Sequence, residues 1–320
     1  MKNKCFRAIS MLTVSATLLT SCATGAEQPE INIEETELAS VYDGNWPLVE
    51  HVQLDIFQSM MARAQTMMIS ACMAEYGFDY ETGQESTDPA PLHGLKYGVE
   101  SVDVVSEFGY VSPSLIEDAK VTDGTNLTED EELLLYGSET PSMDDLELGG
   151  GQFDPVTLGG MKIPAGGCIT WASLQLEDEN TPPGIGARTG EVDLPNRLIW
   201  EADDMFKADE RVDDINEEWS VCMGESGYDY NSWEEPREGF ERDINSSPSE
   251  LEVNTAIADV NCKQDINMVG RLFAIEAGYQ QYLLDENAAE LDEYRTWMSD
   301  AIRRYEQIIS TGGNGSSPLE

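Results

Sequence analysis

One segment occurs twice in this chain, and it constrains the fold more than any other feature. Residues 69–80 read ISACMAEYGFDY and residues 219–230 read WSVCMGESGYDY, identical at seven of twelve positions at an offset of 150. Each copy ends a run in which apolar residues recur every three or four positions. In the run ending at the first these are Val49, Val52, Ile56, Met60, Ala64, Met67 and Ala71; in the run ending at the second they are Val212, Ile215, Trp219 and Cys222. Such spacing places the apolar side chains on one face of a helix. Gly77 and Gly227 then fall where a helix stops in the left-handed region, which glycine occupies at little cost. Each copy therefore predicts a helix whose cysteine, Cys72 or Cys222, points at a neighbour about one turn before the end. A Met and aromatic stripe at this spacing reads as core rather than as a cofactor box.

The start of the chain carries an address. Lys2, Lys4 and Arg7 precede a short, mostly apolar run from Ala8 to Leu19, and Leu19-Thr20-Ser21-Cys22 follows. The run is too short to span a bilayer, which takes about 20 apolar residues, and has the form of an export signal. Its ending resembles the lipobox of bacterial lipoprotein signals. That resemblance implies a signal peptide over 1–21 and a diacylglyceryl group on Cys22, with two acyl chains giving stable anchoring. Residues 22–44 are expected to form an acidic, flexible tether.

The sequence has six cysteines. With Cys5 in the signal and Cys22 lipidated, Cys72, Cys168, Cys222 and Cys262 remain. An even number in an exported chain implies disulfides, and no spacing is C-x-x-C, which argues against zinc or thioredoxin chemistry. Four cysteines allow three connectivities. Cys168 follows Gly166-Gly167 at the head of ITWASLQL, and Cys262 sits inside ELEVNTAIADVNCKQDI. With one later cysteine after each repeat copy, the simplest pairing is Cys72–Cys168 and Cys222–Cys262. In the chain-entropy treatment these loops are worth about 4–5 and about 4 kcal/mol.

The paired Cys-Met-x-x-x-Gly-aromatic motifs do not stand alone. With them go Tyr97-Gly98, Gly109-Tyr110, Gly166-Gly167-Cys168 with Ala172 and Leu176, Arg211-Val212, Trp219-Ser220 and Ala258-Asp259-Val260 before Cys262. Together they resemble uncharacterised cell-envelope lipoproteins of actinobacteria, over most of residues 45–305. The resemblance implies the bridges and an extracytoplasmic, membrane-anchored location; it carries no mechanism.

Turn-forming residues break the chain at 81–94, 149–167 and 178–195, the last being the expected boundary between a first helical half, 45–180, and a second, 193–310. Short helices are predicted over about 101–108, ended by Gly109, and from Thr128, where Glu131 completes a capping box. Ser247-Pro248-Ser249-Glu250 suggests a serine cap with proline and glutamate at the first and third helical positions. No proline follows before Ile309, and Leu291, Tyr294, Met298, Ala301, Tyr305 and Ile308 make a packing seam. One helix is expected there, or a hairpin turning at 284–288, with Gly270 and Gly278 as further bends; 311–320 reads as a flexible tail. The fold class is mainly α: an irregular helical bundle in two disulfide-stapled halves with a long C-terminal helix or helical hairpin.

The formal charge of −44 excludes nucleic acid, whose phosphates demand basic stripes; it suits a solvated surface, or capture of a cationic or protein partner in the envelope. Only His51 and His93 could serve a catalytic triad, and each reads as a lone surface histidine. Asp144-Asp145, Asp203-Asp204, Asp213-Asp214, Glu217-Glu218 and Glu234-Glu235 are acid pairs from which a hydrolase could draw two carboxylates. Residues 123–131 hint at a calcium loop without the alternating ligands of an EF-hand. No cofactor, metal ligand set or catalytic residue is assigned. The expected function is a membrane-anchored, non-enzymatic binding or scaffold lipoprotein, with an extracellular carboxylate hydrolase as the alternative.

Overall fold

The computed structural model describes residues 30, 33, 36–38, 40–80, 96–116, 127–137, 156–182, 185, 192–240, 242, 243 and 246–313. The signal segment, Cys22, much of the tether, His93, Asp123–Asn126, Asp144-Asp145 and residues 314–320 lie outside them. The described residues are mainly helical.

The first helical run divides into α1 (Pro47–Val52) and α2 (Leu54–Glu75) at Gln53, whose φ is 56°. The break turns the register of α2. Phe57, Ala64, Met68, Cys72 and Met73 face the core, while Ile56, expected inside, is 52% exposed. α3 (Val102–Phe108) runs from a Ser101 cap to Gly109, as predicted. α4 (Glu129–Tyr136) opens with the expected capping box: the Thr128 hydroxyl accepts from the Glu131 N–H at 3.3 Å, and the Glu131 carboxylate accepts from the Thr128 N–H at 2.7 Å. A two-stranded pair that the turn-rich sequence concealed, β1 (Thr157–Leu158) and β2 (Met161–Lys162), precedes α5 (Gly167–Leu176). In the second half come α6 (Leu194–Lys207), α7 (Glu210–Glu225) and the single turn α8 (Glu235–Glu238).

The C-terminal run is three helices, α9 (Glu250–Asp265), α10 (Met268–Glu286) and α11 (Ala288–Ser310). One break, at Asn287, falls in the expected window. The other was not foreseen: Asn267 sits at φ 51°, and asparagine is among the few non-glycine residues that visit this region routinely. Gly270 and Gly278 both lie inside α10, which runs through them unbroken. The cap of α9 is Ser249 and not Ser247; its hydroxyl accepts from the Glu252 N–H at 3.1 Å. Leu291, Tyr294, Met298, Ala301 and Tyr305 are buried and Arg295 and Arg303 exposed, as the seam predicts; α11 packs chiefly along α2.

The two repeat copies fold alike. Each ends in a Schellman motif, Phe78 N–H to Met73 C=O with Gly77 N–H to Ala74 C=O, and Tyr228 N–H to Met223 C=O with Gly227 N–H to Gly224 C=O. The glycines sit at φ 87° and 91° with open space around them, so backbone conformation and not crowding selects them. In both, the helix serine donates to the carbonyl of the tyrosine after the turn, Ser70 to Tyr80 and Ser220 to Tyr230. The bridges are Cys72–Cys168, joining α2 to α5, and Cys222–Cys262, joining α7 to α9.

Each half keeps its own bridge, yet the halves share a core. The largest apolar cluster unites Leu48, Val52 and Phe57 with Leu198, Trp219, Leu272 and Met298. A smaller one surrounds Cys72–Cys168 with Leu134, Leu135 and Ile163. A third joins Val99, Val105 and Tyr110 of the first half to Ala256 and Val260 of α9.

Candidate functional site

The chain that follows each repeat copy is delivered to the same helix. Lys96–Glu100, from the first half, and Trp233–Glu238, from the second, flank a cleft of about 450 Å³ over α9. Lys96, Gly98 and Val99 line one side; Trp233, Glu234, Arg237 and Glu238 line the other; Tyr110 and Asp259 lie between them.

Asp259 is fully buried. Its carboxylate accepts from Trp219 Nε1–H at 2.9 Å and pairs with Lys263 Nζ, one turn along α9, at 3.1 Å. Lys263 is 2% exposed and donates also to the Val99 carbonyl at 3.4 Å. A Cβ on Gly98 would stand 2.7 Å from that ammonium, so glycine here makes room for the charge. Burial raises the Asp259 pKa above the ordinary carboxylate range, and Lys263 offsets this only in part.

Further buried pairs hold the walls. Lys96 Nζ bridges Glu276 of α10 at 2.7 Å and Asp203 of α6 at 2.8 Å, and the Tyr97 hydroxyl donates to Glu276 at 2.9 Å. Burial raises the Glu276 pKa against the pull of Lys96. Burial would raise Asp203 too, but hydrogen bonds from Lys207 and Lys96 outweigh it and hold that carboxyl low. At the end of α3, Glu252 accepts from the Tyr110 N–H at 3.1 Å and pairs with Arg242, which donates to the Phe108 carbonyl at 2.7 Å. Around the cleft each of these buried acids thus has a cation beside it.

Two polar atoms of the lining residues do not share this satisfaction, and both are enclosed, without surface open to the cleft. The indole N–H of Trp233 is buried without a hydrogen-bond partner. The Tyr110 hydroxyl, on a residue 5% exposed, lies near Asp259 and helps hold its charge, but has no well-angled hydrogen bond. Burial is the main reason this phenol's pKa is pushed far up, so it stays a donor. A second cleft of about 410 Å³ between α6 and α11 contains a similar pair, Tyr294 and Trp297, among Leu194, Arg197, Glu290 and Glu293.

No family model matches this chain, and neither a curated protein nor a solved structure matches it.

The cysteines foreseen as bridged are bridged; Cys22 lies outside the described residues. Of the acid pairs, Asp203 is engaged by lysines, Glu218 meets Arg271 at 2.7 Å, Asp213 and Asp214 are exposed, and Glu234 reaches the cleft rim. His51, expected at the surface, is partly buried with Nε2 3.1 Å from Asp292. Glu131 of the suspected calcium loop is occupied by capping. Among the described residues no three His, Cys, Asp or Glu are grouped to hold a metal ion. The cleft itself was missed, although Gly98, Tyr110, Trp219 and Asp259 all fall in the motifs of the sequence pattern. The available signal was Asp259 and Lys263, charges four apart on a helix flanked by Ala256 and Val260.

Proposed function

We propose that the protein is a lipid-anchored, non-enzymatic binding protein of the cell envelope that holds a small ligand in the cleft over α9. One observation carries the reading: residues of both halves enclose a cleft of about 450 Å³ over α9, and the charges buried in its floor, Asp259 and Lys263, are paired with each other. The size falls in the usual range of small-molecule sites, about 300–1,000 Å³. Asp259 is committed to Trp219 and Lys263, and the other cleft acids, Glu234 and Glu238, are exposed at the rim. That distribution favours holding a ligand over cleaving it.

The two disulfides support an oxidising compartment, and the resemblance to actinobacterial envelope lipoproteins supports the same address. Among the described residues no helix is long and apolar enough to cross a membrane; the proposed anchor is acylated Cys22. Native mass spectrometry of protein purified from envelopes in mild detergent tests the proposal. A retained small molecule that Trp233→Ala loses is the expected result. Chemical conversion of that molecule by the protein would replace this reading with the hydrolase alternative.

A further inference from the structure

The stretch expected to end the tether is packed against the fold as a strap. Leu38, and Ile33 before it, pack on the main core, and Val41 is fully buried in the short 3-10 turn Val41–Asp43. Asn267, left-handed between α9 and α10, donates from Nδ2–H to the Thr36 carbonyl at 2.7 Å. One turn into α10, a Cβ on Gly270 would collide with that same carbonyl, so glycine lets the strap cross the helix. The unforeseen break at Asn267 and the glycine after it thus serve one contact.

From α10 the strap runs to the wall of the cleft. The Val41 N–H donates to both oxygens of the Glu100 carboxylate at 3.2 Å, and the Ser40 side chain hydrogen-bonds the same group. Burial raises the Glu100 pKa, and these bonds from the strap work against that rise. Glu100 ends the stretch 96–100 that forms one side of the cleft. Its carbonyl accepts from Gln264 Nε2–H at 3.4 Å, and the preceding carbonyl, of Val99, accepts from Lys263 Nζ at 3.4 Å. Leu38, Glu100, Lys263 and Asn267 also line a cavity of about 200 Å³. Lys263 therefore lies between this strap-side cavity and the cleft floor. The strap's outer residues, Glu37 and Asp43, are exposed, and an element held by so few buried groups opens well below the cost of global unfolding.

We infer that the strap is a conformational clamp on the cleft: docked, it holds the 96–100 wall against Lys263, and released from α10, it frees that wall and uncovers Lys263. The inference stands whether or not the cleft holds a ligand. The strap is the covalent path from the proposed anchor at Cys22 to the cleft, so a pull on that anchor reaches the wall through Glu100.

Two measurements on the detergent-solubilised protein test this. Hydrogen exchange read by mass spectrometry follows the strap through the Val41, Asp43 and Gly44 amides, all hydrogen-bonded when it is docked. Acetic anhydride labelling at fixed pH follows Lys263, which is 2% exposed, against Lys207, whose side chain is 67% exposed. In the wild type the three amides should be protected and Lys263 inert. Asn267→Gly keeps the left-handed backbone and removes the bond to Thr36, and Gly270→Ala puts a methyl group against the Thr36 carbonyl. Each should speed exchange of the strap amides tenfold or more and raise Lys263 labelling, relative to Lys207, by a similar factor. Leu38→Ser, on the strap itself, should do the same without altering α10. Gly224→Ala in α7, with open space around the glycine, should change neither readout. Far-ultraviolet circular dichroism identifies the variants that fold, and any one of the three suffices. Unprotected strap amides, or a reactive Lys263, in the wild type overturn the inference. So does a strap that stays protected in the folded variants, and so does one that opens while Lys263 stays inert.

Discussion

Replacing Lys263 by methionine keeps most of the side chain's volume and removes its charge. Asp259 would then be a fully buried carboxylate with the Trp219 N–H as its one well-formed partner, and the Val99 carbonyl would lose its donor. Breaking a buried ion pair from one side costs about 3–5 kcal/mol, because the remaining charge is uncompensated. The Asp259 pKa is already raised in the folded chain. A carboxyl raised on folding favours the folded state when protonated; that contribution is complete below its unfolded value and is lost as pH rises through the folded one. Without Lys263 the folded value rises further. The deficit of the variant against wild type is therefore largest at neutral pH and shrinks on acidification.

Urea unfolding, with both disulfides intact, measures this at about pH 7.5 and about pH 5. Lys263→Met should lose about 3–5 kcal/mol at the higher pH and visibly less at the lower. The double variant Asp259→Asn/Lys263→Met should recover about half of the loss or more, since a buried pair replaced on both sides is far less costly than one broken. A cost under about 1 kcal/mol near neutrality, or a deficit that grows with acid, would refute this account of the floor of the cleft.

Other predictions concern the frame and the anchor. Gly77→Ala and Gly227→Ala should each cost about 1–2 kcal/mol in chemical unfolding, because the methyl group must enter the left-handed region; equal stability would show that the turns relax. Non-reducing peptide mapping should recover Cys72 joined to Cys168 and Cys222 to Cys262, and removing the second pair should cost about 4 kcal/mol at fixed pH. Cys22→Ala should abolish metabolic labelling by an alkynyl fatty acid and release the protein from the membrane fraction; labelling that persists would place the lipid elsewhere or exclude it.

Local signals carried much of this fold. The capping box at Thr128, the serine before α3 and the glycines that end both repeat helices act through bonds to residues a few positions away, so their outcome can be read from a short window. The seam of α11 was legible for the same reason. The breaks at Gln53 and Asn267 were not, because neither residue is a glycine or proline and each takes positive φ under tertiary constraint. The break at Gln53 also explains why Ile56 turns outward: a single left-handed residue resets the helical phase for everything after it. The cleft was illegible for a different reason. Its members come from four separated stretches, and a charged residue in sequence, such as Lys96 or Lys263, gives no local sign that it will be buried.

The separations across these contacts reveal a division of labour. The disulfides close spans of 96 and 40 residues, and each lies within its own half. The buried polar contacts reach between halves: Lys96 to Glu276 across 180 residues, Lys263 to Val99 across 164, Tyr110 to Glu252 across 142 and Arg242 to Phe108 across 134. Apolar packing is tolerant of small slides, whereas a buried carboxylate displaced from its cation loses several kcal/mol, so such pairs select one docking of the halves from many of similar area. Few Lys and Arg are available for this in a chain with 18 of them against 62 acids. That several stand around a single cleft means the relative placement of the halves is specified most tightly where Trp233 of one faces Lys96 of the other. Reduction of the bridges should therefore loosen each half, while loss of the Lys263 and Lys96 pairs should act on the cleft between them.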